Sequence, residues 1–209
     1  MPPRTKNRRG AANRERIIAA ATDLFTRNGY LRTTMGDIAG EAGVAVQTLY
    51  LAYGSKVGIL SAAHDTAIVG DEEPVPLLER EWVRQLPNAP SVDEGWVQVL
   101  DRLAPSTVRV APIYTAIGAA GSDPDVGDLL STLREQRHRS TQVLGELLLE
   151  LPGAADASPD RVADVLYATL TAETYTMLVA ERGWTVEQWR RWVHDTVTRE
   201  LHPHDKARR

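Results

Sequence analysis

Val46, Gln47, Thr48, Tyr50 and Leu51 form the group of side chains in this 209-residue chain whose spacing suggests a chemical task. They alternate with Ala45, Leu49, Ala52 and Tyr53, which recur at i, i+4, i+7 and i+8 and predict one buried helical face. The outward set therefore stands on a short helix. Just before it, Met35, Ile38, Ala39 and Ala42 mark the apolar face of another short helix. Thr34 with Asp37 three residues on is a capping-box-like start, and Gly43 is the residue type that leaves a helix through a left-handed conformation. Helix, glycine-containing turn and helix is the spacing of a DNA-binding helix-turn-helix, whose second helix lies in the major groove. Two helices of about eight residues are too short to stand alone. Asn13 to Asn28 supplies a third through Ile17, Ala21, Leu24 and Phe25, and Gly29 ends it.

Other chemistries find little support. His64, His138, His194, His202 and His204 do not sit with carboxylates at metal-ligand spacing, and His202-Pro203-His204 reads as a tail. The metal-protease pattern HExxH, the serine-nucleophile pattern GxSxG and the phosphate loops of nucleotide enzymes have no match. Asp71, Glu72 and Glu73 read as a solvated charge run. With no cysteine, disulfides, thiolate metal sites and cysteine nucleophiles are excluded together. The reading is a non-enzyme without cofactor or metal.

The amino-terminal blocks resemble a family. Phe25-x-x-x-Gly29-Tyr30, Thr33-Thr34-Met35-x-x-Ile38-Ala39, Ala42-Gly43-Val44, Thr48-Leu49-Tyr50 and Gly54-Ser55-Lys56 follow one another in order. This stretch of some fifty residues resembles the DNA-binding domain of TetR-type (TetR/AcrR) transcriptional regulators. The resemblance implies phosphate contacts from Thr34, Thr48, Tyr50 and Lys56, with the Ser55–Lys56 helix start adding a positive terminus. It implies base-edge contacts from Val46, Gln47, Tyr50 and Leu51. Gln47 can pair with adenine N6/N7, and Val46 or Leu51 can cover a thymine methyl. Two departures stand out. Ala45 replaces the capping serine or threonine often found at the recognition helix, a loss of about 1 kcal/mol. Leu51-Ala52 replaces more polar or aromatic groups, which shifts recognition toward shape and methyl contacts.

Charge agrees with this division. Residues 1–60 hold nine Lys+Arg against four Asp+Glu, net +5, and the remainder fifteen against twenty-four, net −9. A positive head suits a phosphate backbone, and the acidic remainder must face away from it. The 21 Arg to 3 Lys bias reads as GC-rich coding. No apolar run reaches the ~18 residues that span a bilayer, and MPPRTKNRRG has no apolar segment of a secretion signal behind it, so a cytoplasmic location is expected.

Three segments are expected: a basic flexible arm over 1–12, the helix-turn-helix domain over 13–63, and an effector-binding and dimerisation domain over 64–209. In the arm, Arg4, Lys6, Arg8 and Arg9 can follow phosphates. Glycine, acids and prolines over 70–76 make a break after the connecting helix, which runs from Ser55 to about Val69. The pattern then predicts a helix over 76–86 and a capping box at Ser91 and Glu94. A further helix starts at Pro105, kinked at Pro112 and ended by Gly118 and Gly121. Asp123-Pro124 opens a long helix to Leu151 whose inner stripe includes the polar Arg137 and Thr141. One helix from Ser158 to about Arg182 and a last one capped by Thr185 and Gln188 carry apolar residues on more than one face. Pairing the last two helices with a second copy satisfies that surface, as in dimers of the family. Trp82, Trp96, Tyr114, Arg137, Thr141, Tyr167 and Tyr175 are the candidates for an effector pocket.

The expected molecule is all-α: an amino-terminal three-helix head and a helical ligand-binding and dimerisation body. It is expected to be a homodimeric regulator, a repressor released from a palindromic double-stranded operator by a small amphipathic or apolar effector, with no membrane partner. Two rivals use the same residues: a constitutive DNA-binding factor without effector, and a helical carrier or enzyme with a vestigial head.

Overall fold

Thr34 opens the first short helix as its spacing with Asp37 predicts. In the computed structural model, which describes residues 4–70 and 76–202, the Thr34 hydroxyl accepts from the Asp37 amide while the Asp37 carboxylate accepts from the Thr34 amide. The described residues form helices and turns with no strand. Four helices make the amino-terminal part: α1 (Arg4–Asn28), α2 (Met35–Ala42), α3 (Val46–Tyr53) and α4 (Lys56–Val69). Helix α1 begins well before Asn13, so the backbone from Arg4 is helical rather than a loose arm. After Pro3 the run to Asn13 has only Gly10 to resist a helix, at about 1 kcal/mol. Residues 1–3 of the expected arm lie outside the described residues.

The core of this head is apolar and continuous. Ile17, Ala21, Phe25, Ile38, Leu49, Ile59 and Leu60 are all essentially fully buried. Gly43 adopts φ +64°, where an L side chain is strained, and the Val44 amide then reaches the Ala39 carbonyl at 3.0 Å. This turn sets the angle between α2 and α3.

Downstream, the helix expected over 76–86 resolves into three short pieces. These are a 3₁₀ turn at Leu77–Glu79, α5 (Glu81–Gln85) and a second 3₁₀ turn at Leu86–Asn88, with extended Arg80 between the first two. Most of the acidic break before them, 71–75, lies outside the described residues. Helix α6 (Val92–Ala119) runs unbroken through both Pro105 and Pro112, so Pro105 does not start a new helix. A proline removes one backbone bond. Here the Ser106 and Thr107 hydroxyls bond the Arg102 and Leu103 carbonyls beside it, and Trp96, Val99, Leu100, Ile113 and Ile117 anchor the helix on both sides.

Helix α7 (Pro124–Leu149) is capped by the Asp123 carboxylate, which accepts from the Asp125 and Val126 amides at 3.1 and 3.3 Å. The single helix expected from Ser158 to Arg182 is interrupted. It comprises α8 (Pro159–Thr169), then α9 (Ala172–Tyr175), which widens into a π-helical turn over Thr176–Glu181. Leu170 leaves helical geometry at φ −91°, ψ 56°. Thr171 is extended, and its hydroxyl oxygen caps the Glu173 and Thr174 amides. The Thr174 hydroxyl meanwhile bonds the Ala168 carbonyl at 2.7 Å. This break explains the apolar residues all around the predicted helix: one helical period does not continue across it. Helix α10 (Val186–Leu201) has the Thr185–Gln188 capping box and buries Trp189, Val193, Val197 and Leu201.

Contacts divide the described residues into two compact units. The first holds α1–α4 with Pro112–Ser131; the second holds α5, the rest of α6 and α7, and α8–α10. The core of the second is built on Trp96, Leu100, Leu148, Leu166, Trp189 and Val193. Among the described residues no helix is long and apolar enough to cross a membrane.

Candidate nucleic-acid interface

Helix α3 is held from below by Leu49, which is fully buried, with Tyr53 half-buried; Ala45 and Ala52, expected on the same inner face, are exposed. Val46 is 39%, Tyr50 53% and Leu51 82% exposed; Gln47 is exposed and Thr48 half-buried. These five residues stand together on one short, rigid element. Ala45, at the cap position, is extended and offers no side-chain bond to the first turn.

Ser55 caps α4, its hydroxyl oxygen accepting from the Gly58 amide at 3.1 Å. A serine hydroxyl that accepts at a cap keeps its proton to donate. Gly58 is required here by close approach, since a Cβ on it would overlap the Tyr53 carbonyl oxygen.

Lys56 points back into the head. Its Nζ donates to the Tyr30 carbonyl at 2.9 Å and the Thr33 carbonyl at 3.0 Å, and lies 4.0 Å from the centroid of the Tyr30 ring. That ring in turn packs against Phe25, with centroids 5.7 Å apart. Burial lowers the Lys56 ammonium below the usual lysine range, and Asp123 opposes the shift. Burial likewise raises the Tyr30 phenol, helped by Asp123 and Asp125. Thr33, 1% exposed, directs its hydroxyl to the Leu24 and Gly29 carbonyls at 3.2 and 2.9 Å. Tyr30 and Thr33 are thus positioning residues that spacing alone did not mark, because 26 and 23 residues separate them from Lys56.

Thr34 is also committed. Beyond the cap, its hydroxyl donates to Asp37 Oδ2 at 2.7 Å, and this bond with that from the Thr34 amide holds the Asp37 carboxyl below its ordinary value. Its single hydroxyl proton is directed at a carboxylate rather than outward.

The effector candidates fall into three groups, with Thr141 apart from them. Trp96 is fully buried, its indole N–H donating to the His194 carbonyl at 3.3 Å; Trp82 packs on the same core, and Tyr175 meets Trp189 edge-on at 5.2 Å. Tyr114 belongs to the first unit, 6.1 Å from the His64 ring. Arg137 and Tyr167 come together: the guanidinium lies 4.4 Å from the Tyr167 ring centroid and pairs with Glu173 at 3.0 Å. Thr171 donates to the same carboxylate at 2.6 Å. Burial raises the Glu173 carboxyl, but the bonds from Arg137 and Thr171 outweigh it and the net shift is downward. Thr141, buried, bonds the His138 carbonyl of its own helix at 2.9 Å. Glu173 and Thr171 were invisible to sequence reasoning, since they lie beyond the break in the predicted helix.

A shallow groove of about 420 Å³ lies on the head, lined by Arg16, Asp23, Glu41 and Gly43 among others, and none of the effector candidates borders it. Among the described residues no three His, Cys, Asp or Glu side chains gather as a metal site.

Residues 17–63 match the family model of bacterial regulatory proteins of the tetR family. No curated protein matches the chain. Solved structures resemble it in fold. A transcriptional regulator from Saccharomonospora viridis, in complex with choline, superposes with TM-score 0.65 at 21% identity, covering 90% of this chain and 96% of the other. A TetR-family regulator from Mesorhizobium loti MAFF303099 gives 0.65 at 21%, covering 92% and 96%. NalD of Pseudomonas aeruginosa, the secondary repressor of the MexAB-OprM multidrug efflux pump, gives 0.60 at 15%, covering 90% and 96%.

Proposed function

We propose that this chain, a DNA-binding regulator of the tetR family through its residues 17–63, is a ligand-responsive repressor that binds a palindromic operator as a homodimer. The observation that carries this reading is the outward face of α3, where Val46, Gln47, Tyr50 and Leu51 stand exposed on a helix backed by a fully buried leucine. In the major groove these four meet base edges, while Thr48 and Ser55 meet phosphates. The α4 amino terminus adds its amides and partial positive charge to the phosphate contacts. Thr34 and Lys56 serve the interface by fixing the α2 and α4 starts at which phosphates bind.

The dimer forms through the broken helical segment α8–α9 and helix α10, and doubles the reading surface to match a two-fold operator. A small amphipathic or apolar effector binds the second unit, and the Arg137–Glu173–Tyr167 group is its best polar anchor. Such a ligand switches the protein only by preferring the head spacing that misfits the operator. The choline complex of one structural relative and the repressor role of another support a regulator of this kind.

The test is binding of the purified protein to its own upstream region across a salt series. A site bound with a steep negative slope of log K against log salt, and weakened by Gln47→Ala, is expected. Binding no tighter than to random duplex at every salt concentration would remove the proposal.

A further inference from the structure

Between Gly43 and Ser55 the chain carries no charged residue at all. That composition limits what α3 can read. Guanine is recognised by Arg or Lys on O6 and N7, and cytosine by a carboxylate on N4. Neither the cation nor the carboxylate is available on this helix. Its polar groups are the Gln47 amide, which fits adenine N6/N7, and the hydroxyls of Thr48 and Tyr50. The rest of the outward face is apolar. Val46, Tyr50 and Leu51 are three of the exposed large hydrophobics among the described residues, and Leu51, at 82%, is the most exposed of them. On a helix whose face is continuous with the DNA-binding domain, the complementary apolar group is the C5-methyl of thymine.

We propose that this protein selects its operator through thymine methyl groups, with Leu51 as the principal methyl-reading side chain and Gln47 fixing an adjacent adenine. The inference rests on the proposed DNA-binding mode and adds which bases that mode selects. The basic head, net +5 over residues 1–60, attracts any duplex alike and carries no sequence information. Discrimination therefore falls to the uncharged patch. Removing one methyl from the operator weakens specific binding and leaves binding to random duplex unchanged.

The experiment uses the full chain and duplexes selected from a randomised pool. Each thymine of the selected half-site is replaced in turn by deoxyuridine, which removes only the methyl. For wild-type protein at least one replacement should weaken binding about fourfold, the effect of one buried methyl-sized group. Leu51→Ala, at a position too exposed to disturb folding, should bind the thymine duplex about equally less well and be indifferent to that same uracil. Selected half-sites fixed at guanine without thymine would overturn the inference. So would uracil without effect at every position, or a Leu51→Ala variant as uracil-sensitive as wild type. If Leu51→Ala instead shifted the assembly mass and left thymine dependence intact, the patch would be a protein contact and the inference would fall. A pool yielding no enriched sequence, with no salt-dependent binding, would remove the DNA-binding reading itself, a result distinct from all of these.

Discussion

Lys56 uses two of its three N–H donors on carbonyls of the α1–α2 loop and lies over the Tyr30 ring, so in the proposed DNA-binding mode it acts through position. Lys56→Ala takes this donor from the Thr33 carbonyl and leaves the Tyr30 carbonyl only the Thr33 amide, at about 1–3 kcal/mol. It should lower the thermal midpoint and weaken all DNA sequences alike, while the salt slope stays near the wild-type value. A direct phosphate contact would instead reduce that slope by about one. Glu173 makes a second residue-scale prediction. Its folded pKa is depressed, so its contribution is present above the ordinary glutamate range and is lost as pH falls through the folded value. The stability gap between wild type and Glu173→Gln should be widest at neutral pH and should narrow as pH falls below the ordinary glutamate range. A gap that stays constant from pH 7 to pH 3 would contradict the ion pair with Arg137. These two sites also mark the limit of sequence reading. Their residue types were legible as cations and carboxylates, but their partners were not.

At the scale of elements, the short helices of the head depend on their ends. Helix α3 has an extended cap residue, Ala45, with no side-chain bond. Ala45→Ser should supply one and raise stability by about 1 kcal/mol, measurable as a higher denaturant midpoint with an unchanged m-value. Gly58→Ala has the opposite sign. Its Cβ would overlap the Tyr53 carbonyl oxygen, so the α3–α4 junction must shift, at about 1–3 kcal/mol. Loss of stability together with loss of operator binding is expected, and an alanine variant as stable as wild type would show that the junction is not tight. Capping boxes at Thr34 and Thr185 and the serine cap at Ser55 were readable because each involves residues three apart. The interruption at Leu170–Thr171 was not, since an apolar stripe and a broken one look alike when residues on several faces are hydrophobic.

For the whole molecule, charge and assembly are linked. A body of net −9 repels a duplex that the head of net +5 attracts, and the proposed dimer doubles the attraction by carrying two heads. Sedimentation should give about twice the 23.0 kDa chain mass, with a site size spanning two half-sites about one helical turn apart. A monomer at micromolar concentration would contradict pairing through the last two helices.

Sequence by itself determined the all-α class, the helix-turn-helix with its caps and glycine turn, and the match of residues 17–63 to the tetR family model. These features rest on interactions within about one helical turn, which residue order displays directly. Only the tertiary structure decided that Lys56 turns inward to Tyr30 and Thr33, that Arg137 meets Glu173, that α6 continues through two prolines, and that Pro112–Ser131 groups with the first four helices. Each joins residues far apart in the chain or sets a local preference against burial on several sides. Such outcomes are fixed by which surfaces pack, and the order of residues does not record that.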